Sequence, residues 1–277
     1  MTGSRVVAIM TVLAFLAPAV FAEETIRVSG TGAAIGGMKL LGEAFGKKHP
    51  GVTVVVYPSL GSAGGIKAVA AGKLDLAVSA RRVKEEEKVP GLVEKPYAKS
   101  PYIFATSSSN PASGLRLAEI RDIYAGKITT WPDGRMISLV LRPAHDASTD
   151  FLENLSPEMK DAVASSKKRP GMFIGGTDQD AADQIERTPG SFGMTSYSLV
   201  ASEKRNIKPL AVDGIPPAGK DGVNGKYPYS IFLSLVYVKD RTTPGMESFL
   251  RYISSKEGEK ILKMNGHLPI GNAQAKP

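Results

Sequence analysis

Apolar and polar positions along the chain fall into two alternating rhythms. Short apolar runs at Ile26–Ser29, Val52–Tyr57 and Leu74–Ser79 read as strands of a covered sheet. Between the first two, Ile35, Met38, Leu41 and Phe45 keep helical spacing. Lys47, Lys48 and His49 then stand where cations favour a helix C-terminus, and Pro50 stops the helix. A shorter helix is expected over Ile66–Ala71. Strand, helix, strand, helix, strand in this order predicts parallel pairing with right-handed crossovers. Ligands in such sheets bind beyond the carboxyl ends of the strands. The loops Ser29–Ala34 and Ser59–Lys67 and the segment Ser79-Ala80-Arg81 are therefore expected on one rim.

The rhythm then repeats. Tyr102–Thr106 reads as a strand leading through the polar stretch Ser107–Ser113 into a second lobe. Leu117, Ile120, Ile123 and Tyr124 mark a helix face, with Gly126 as its C-cap. The strand Ile137–Leu141 opens into the polar run Arg142–Thr149, and Phe151, Leu152 and Leu155 start another helix. Thr177 with Asp180 forms a capping box, Asp replacing the usual Glu. Pro189-Gly190 turns into the strand Ser191–Thr195. After a loop rich in Gly and Pro, 214–228, the buried strand Ser230–Val238 reads as a return passage. The end is helical through Phe249, Leu250, Ile253, Ile261, Leu262 and Met264, capped by Gly266. Two passages predict an α/β chain of two lobes with mixed sheets. Lobe 1 takes 23–105 and 229–277, and lobe 2 takes 106–228.

Composition narrows the setting. Residues 1–22 read as a secretory signal: Arg5 precedes the apolar stretch Val6–Val20, and Val20-Phe21-Ala22 offers a small-residue cleavage site before Glu23-Glu24. The rival reading is a membrane anchor, but the stretch holds Pro18 and falls short of the roughly 20 residues a span needs. The chain has no cysteine, which excludes disulfides, thiolate chemistry and a lipid anchor on an N-terminal cysteine. The formal net charge is +8, but the basic residues are spread out. The dense run Arg81–Lys88 mixes signs, so nucleic-acid binding is not expected.

The candidate chemistry lies in the small-residue loops. Glycines and hydroxyls before a helix leave backbone N–H groups pointing outward at the positive end of the helix dipole, which makes an anion seat. Ser59–Lys67 has that composition. Catalysis is the rival. Of three histidines, His49 ends a helix, His267 follows a cap, and only His145 lies in a loop where it could touch a ligand. No metal-ligand spacing appears. Leu60-Gly61-Ser62-Ala63-Gly64 fails the nucleophile-elbow pattern, and Gly30, Gly32 and Gly36 miss the dinucleotide fingerprint by one residue. No enzyme activity, metal or cofactor is expected.

Eight segments carry a resemblance. They are Ser29-Gly30-Thr31-Gly32-Ala33-Ala34, Gly61-Ser62-Ala63-Gly64-Gly65-Ile66-Lys67, Asp75 to Arg81, Leu117 to Trp131, Val140-Leu141-Arg142, Pro189-Gly190-Ser191-Phe192-Gly193, Tyr227-Pro228-Tyr229-Ser230, and Gly258 through Ile261 to Gly266. In this order, from Ile26 to Pro269, the chain resembles the PstS-like phosphate-binding proteins of ABC transporters. The resemblance implies a type II periplasmic-binding-protein fold, with mixed sheets flanked by helices and two crossover strands. It implies a periplasmic, monomeric receptor that hands phosphate to a membrane permease. The ligand set it implies comprises backbone N–H groups of Ala33 and Ala34, the Ser62 hydroxyl with the N–H groups of Ala63 and Gly64, the Ser79 hydroxyl, Arg81, the Arg142 fork, and Ser148 and Thr149 from the second lobe. Asp146 would orient Arg142.

Departures from the family pattern are visible. The aspartate that accepts the phosphate's proton in the family's best-known form is replaced by Ala80, with Arg81 next. The first loop has Ala34 for a threonine, and Ala147-Ser148-Thr149 stands for Ser-Gly-Thr. Without an acidic acceptor, the site is expected to discriminate less against sulfate. A sensor or scavenging domain, or a receptor for sulfate, molybdate or tungstate, is the alternative function.

Overall fold

The computed structural model describes residues 23–144, 146–219 and 222–270. The expected secretory signal and His145 lie outside the described residues. In the first half, β1 (Glu24–Gly30), α1 (Gly32–Gly46), β2 (Val52–Val56), α2 (Gly61–Ala70) and β3 (Leu76–Ser79) follow the apolar rhythm. β2 and β3 lie parallel on either side of β1. The carboxyl ends of all three strands therefore face one rim, as the element order requires.

β4 (Leu92–Ser107) is much longer than the expected Tyr102–Thr106. Its first half carries Glu94, Lys95, Pro96 and Lys99, so it lacks an apolar signature. Its register against the return strand shifts between Leu233 and Ser234, opposite the Pro96 region. A proline cannot donate to the ladder, and an irregularity absorbs it.

The second half holds β5 (Gly114–Leu115), α3 (Leu117–Ala125), β6 (Ser138–Leu141), α4 (Ala147–Glu153), α5 (Pro157–Lys168), β7 (Phe173–Ile174), α6 (Asp178–Arg187), β8 (Ser191–Ser196) and α7 (Tyr197–Ser202). Short strands β9 (Ile207–Pro209), β10 (Ala211–Val212), β11 (Ala218–Gly219) and β12 (Gly222–Val223) follow. The chain returns through β13 (Ser230–Val238) to α8 (Pro244–Ile253), α9 (Lys256–Met264) and β14 (Leu268–Pro269).

The main sheet runs β2-β1-β3-β13-β4-β8-β6-β7. β13 is antiparallel to both β3 and β4, while β6 is parallel to β7 and β8. β4 pairs β13 through its first part and β8 through its last, so it carries the sheet from one half of the chain to the other. Aromatic rings pack in both halves of one continuous core. Phe45 meets Phe249 at 5.2 Å between ring centroids in the first. In the second, Phe192 is surrounded by Phe104, Tyr124 and Trp131, and the Trp131 indole N–H donates to Gly190 O at 2.9 Å. Among the described residues no helix is long and apolar enough to cross a membrane.

Two expected loops are helical. α2 begins at Gly61 rather than Ile66, and α4 begins at Ala147 rather than near Phe151. In α2 the cause is packing: a Cβ on Gly65 would stand 2.8 Å from Gly30 Cα, so the glycine-rich turn can coil directly against the end of β1. Helix propensity alone reads glycine as a break.

Candidate anion-binding site

Three loops of the first half are tied together at the sheet rim. Gly30, at φ 139°, presents its carbonyl to the N–H of Leu60 at 3.1 Å and to the Ser59 hydroxyl at 2.9 Å. Thr31 N–H donates to Val78 O at 2.9 Å. The Ser62 hydroxyl accepts from Ala80 N–H at 3.0 Å, which leaves its own proton to donate. α2 starts without a side-chain cap, so the N–H groups of Ser62, Ala63 and Gly64 are claimed by no side chain among the described residues.

The third segment is engaged with itself. The Ser79 hydroxyl donates to Arg81 O at 2.6 Å. The Arg81 guanidinium grips both oxygens of the Glu87 carboxylate, at 2.7 and 2.6 Å, and also donates to Arg82 O. This pairing holds the Glu87 carboxyl below its usual range and raises Arg81. In this arrangement Ser79 and Arg81 shape the 79–87 loop.

Arg142, at the end of β6, is only 7% exposed. Its Nη1 donates to Gly175 O at 2.5 Å and its Nη2 to Asp146 Oδ2 at 2.7 Å. Its Nε has no partner among the described residues. Asp146 is thus where the resemblance puts the orienting acid. It also caps α4, accepting from the N–H of Ser148 at 3.0 Å and from its hydroxyl at 2.6 Å. The Thr149 hydroxyl donates to Pro143 O at 2.9 Å. The buried Tyr102 phenol lies among these groups. Burial first, then the charges of Asp178 and Asp146, push its ionisation far above the usual phenol range.

Sequence reasoning missed the residue that joins the two walls. Asp178, the first residue of α6, extends its carboxylate across to α1. Its Oδ2 accepts from the Thr31 hydroxyl and from Ala33 N–H, both at 3.2 Å. Its Oδ1 stands 3.4 Å from Arg142 Nη2. A carboxylate of the second half therefore caps a helix of the first. Burial raises the Asp178 carboxyl above its usual range and Asp146 adds to this, against the opposing pull of Arg142. Next to it, Gln179 Nε2 donates to Gly32 O at 3.3 Å and to Glu203 Oε1 at 2.8 Å. An Asp at the first position of a helix is ordinarily read as complementing its own dipole, so nothing local announced this aim.

The structure thus brings Ala33, Thr31 and Arg142 to one carboxylate, and Ser62 to the neighbouring rim at Ala80. Ala34 N–H is turned inward to Thr31 O at 3.1 Å. His49 stacks on Phe45 with ring centroids 4.1 Å apart. His267 is buried, its Nδ1 donating to Asn265 O at 2.8 Å. Among the described residues no group of three His, Cys, Asp or Glu could hold a metal ion. Converging N–H groups and a buried guanidinium suit holding an anion.

Comparison with known proteins follows the same line. The family model described as PBP superfamily domain matches residues 18–257. The chain belongs to the PBP superfamily. It is 24% identical over 263 residues to the phosphate-binding protein PstS of Bacillus subtilis, covering 90% of this chain and 82% of that one. It is 25% identical over 251 residues to the protein SphX of Synechococcus elongatus, covering 82% and 72% respectively. A crystal structure from Clostridium perfringens, described as a phosphate ABC transporter substrate-binding protein with bound phosphate, superposes with a TM-score of 0.74 at 25% identity. That match covers 89% of this chain and 100% of the other. A phosphate-binding protein from Stenotrophomonas maltophilia shares the fold, with a TM-score of 0.69 at 14% identity over 91% of this chain and 92% of that chain. The relatives from B. subtilis, C. perfringens and S. maltophilia are named for binding, in keeping with a binder rather than an enzyme.

Proposed function

We propose that this PBP superfamily protein holds a tetrahedral oxyanion, phosphate first, between two lobes and delivers it to an ABC permease. One observation carries the reading. The protein itself sets an anion, the Asp178 carboxylate, between the start of α1 and the Arg142 guanidinium, with its oxygens 3.2 and 3.4 Å from their partners. Donors that fit a carboxylate fit two oxygens of a phosphate. The names of the relatives from B. subtilis and C. perfringens point to the same ligand.

In this reading Ala33, Ser62, Ala63 and Gly64 meet the anion from lobe 1 and Arg142, Ser148 and Thr149 from lobe 2, while Ser79 and Arg81 border it; Ala34, its N–H turned to Thr31 O, supports the turn instead. Lobe 1 takes 23–105 and 229–277, and lobe 2 takes 106–228. Hydrogen bonds to a charged group contribute about 1.5–3 kcal/mol each, and micromolar binding needs about 8 kcal/mol. Four or five such bonds suffice after the cost of closure. The protein acts as a monomer in the periplasm after loss of residues 1–22. Position 80 is alanine, so weak discrimination against sulfate remains the expectation.

Titration calorimetry of the mature chain tests the function. Phosphate should bind one to one at micromolar concentration or below. Molybdate, tungstate and sulfate run in parallel test the receptor for another oxyanion. No heat and no rise in Tm with any of the four would overturn the reading.

A further inference from the structure

We propose that the Asp178 carboxylate is a tethered competitor for the anion seat, one that latches the lobes together and must leave before an oxyanion can enter. The proposal rests on the oxyanion reading above. Asp178 uses the donors that such a ligand needs: the Thr31 hydroxyl, Ala33 N–H and Arg142 Nη2. Charge forbids sharing. One guanidinium, Arg142, already faces two carboxylates, at 2.7 Å from Asp146 and 3.4 Å from Asp178. A phosphate dianion added to this group would gather three acids around one base in a poorly solvated cleft.

The latch is shaped on both sides. Asp178 and Gln179 rest against Gly32, where an added Cβ would collide with the Gln179 side chain and stand 2.6 Å from Asp178 Cβ. Gln179 bridges Gly32 O and Glu203 Oε1, reinforcing the same contact. Asp178 also has a way out. It is the first residue of α6, and its side chain retains 16% exposure, so rotation about its own bonds carries the carboxylate to water.

An oxyanion binding only the unlatched protein has its apparent Kd raised by the latched fraction. The same tether supplies an anion that re-enters the seat as the ligand departs, which gives release to a partner a chemical counterpart within the protein.

The mature chain, D178A and D178N are compared, with folding checked by circular dichroism. D178N keeps the shape and removes the charge, which covers the case in which D178A folds poorly. Small-angle scattering without added anion should give wild type the radius of gyration of its phosphate-saturated form, and D178A a larger one. Both variants should bind phosphate more tightly, by about tenfold for a latch populated at roughly nine to one. Wild type as expanded as D178A without anion would overturn the proposal. So would weaker phosphate binding by D178A, which would instead make Asp178 a proton-sharing partner of the ligand. Equal radii with phosphate bound alike by all three would sink the latch and leave the oxyanion reading standing. A radius difference with no phosphate bound by any form would do the reverse.

Discussion

The Ser62 hydroxyl accepts the Ala80 N–H at 3.0 Å, so the first turn of α2 and the end of β3 are held as one surface. The S62A variant strands a buried N–H and removes a donor aimed at the rim. We expect a loss of about 1–3 kcal/mol in stability, read as a lower urea midpoint, together with roughly tenfold or greater weakening of phosphate binding by calorimetry. Unchanged affinity in a folded S62A protein would remove Ser62 from the ligand set.

Arg142 serves Gly175 O and two carboxylates with one planar fork. Lysine offers a point charge without that geometry. R142K should retain the fold and lose phosphate affinity by at least about tenfold, the equivalent of one charged hydrogen bond. R142A should also melt earlier, because Asp146 is left without its counter-ion. Calorimetry and thermal melts separate the two effects.

Gly30 combines φ 139° with a close backbone neighbour: an added Cβ would lie 2.8 Å from Val78 N and closer still to Val78 O. Neither atom can move without breaking the β1–β3 ladder. G30A should therefore cost more than the roughly 1–3 kcal/mol of backbone strain alone. Gly134 is the control, at φ 84° with nothing within 4 Å of an added Cβ. G134A should cost about 1 kcal/mol. Equal urea midpoints for the two variants would refute the packing argument.

His267 sets an acid limit on stability. Its Nδ1–H is used on Asn265 O, its Nε2 has no partner among the described residues, and burial pushes its pKa down to about 4. The unfolded histidine titrates near 6.5. Above that value neither state gains a proton and stability is whole. As pH falls from about 6.5 to about 4, only the unfolded state takes up the proton, so stability drops by about 3 kcal/mol. H267Q should flatten this part of the stability curve between pH 7 and 4.5, measured by urea unfolding. An unflattened curve would assign the acid sensitivity to other groups.

Much of this architecture was legible in the chain. The runs at Ile26, Val52, Leu74, Ile137 and Ser230 announce strands because buried strands have little choice but apolar residues, although β3 itself starts two residues later, at Leu76. The capping box at Thr177 and the αL cap at Gly126 announce helix ends because each satisfies local backbone groups. The place of Ser62 at the rim was legible through motif order, and the pairing of Asp146 with Arg142 through the resemblance. The first half of β4 was hidden behind its own charges, since a strand flanked by partners on both sides can still expose one face. The helical starts of α2 and α4 were hidden because glycine and serine rank low in helix propensity, and packing against β1 overrode that ranking in α2.

Local composition thus determined the order of the elements, the rim on which their small-residue turns collect, and the chemical type of ligand they suit. It could not determine which acid stands at the seat. Position 80 reads as the loss of a carboxylate, whereas folding returns one from Asp178, about a hundred residues further along the chain. A side chain's nearest charge is set by distance in space, and only the passage of β4 from one half of the sheet to the other brings α6 within reach of α1.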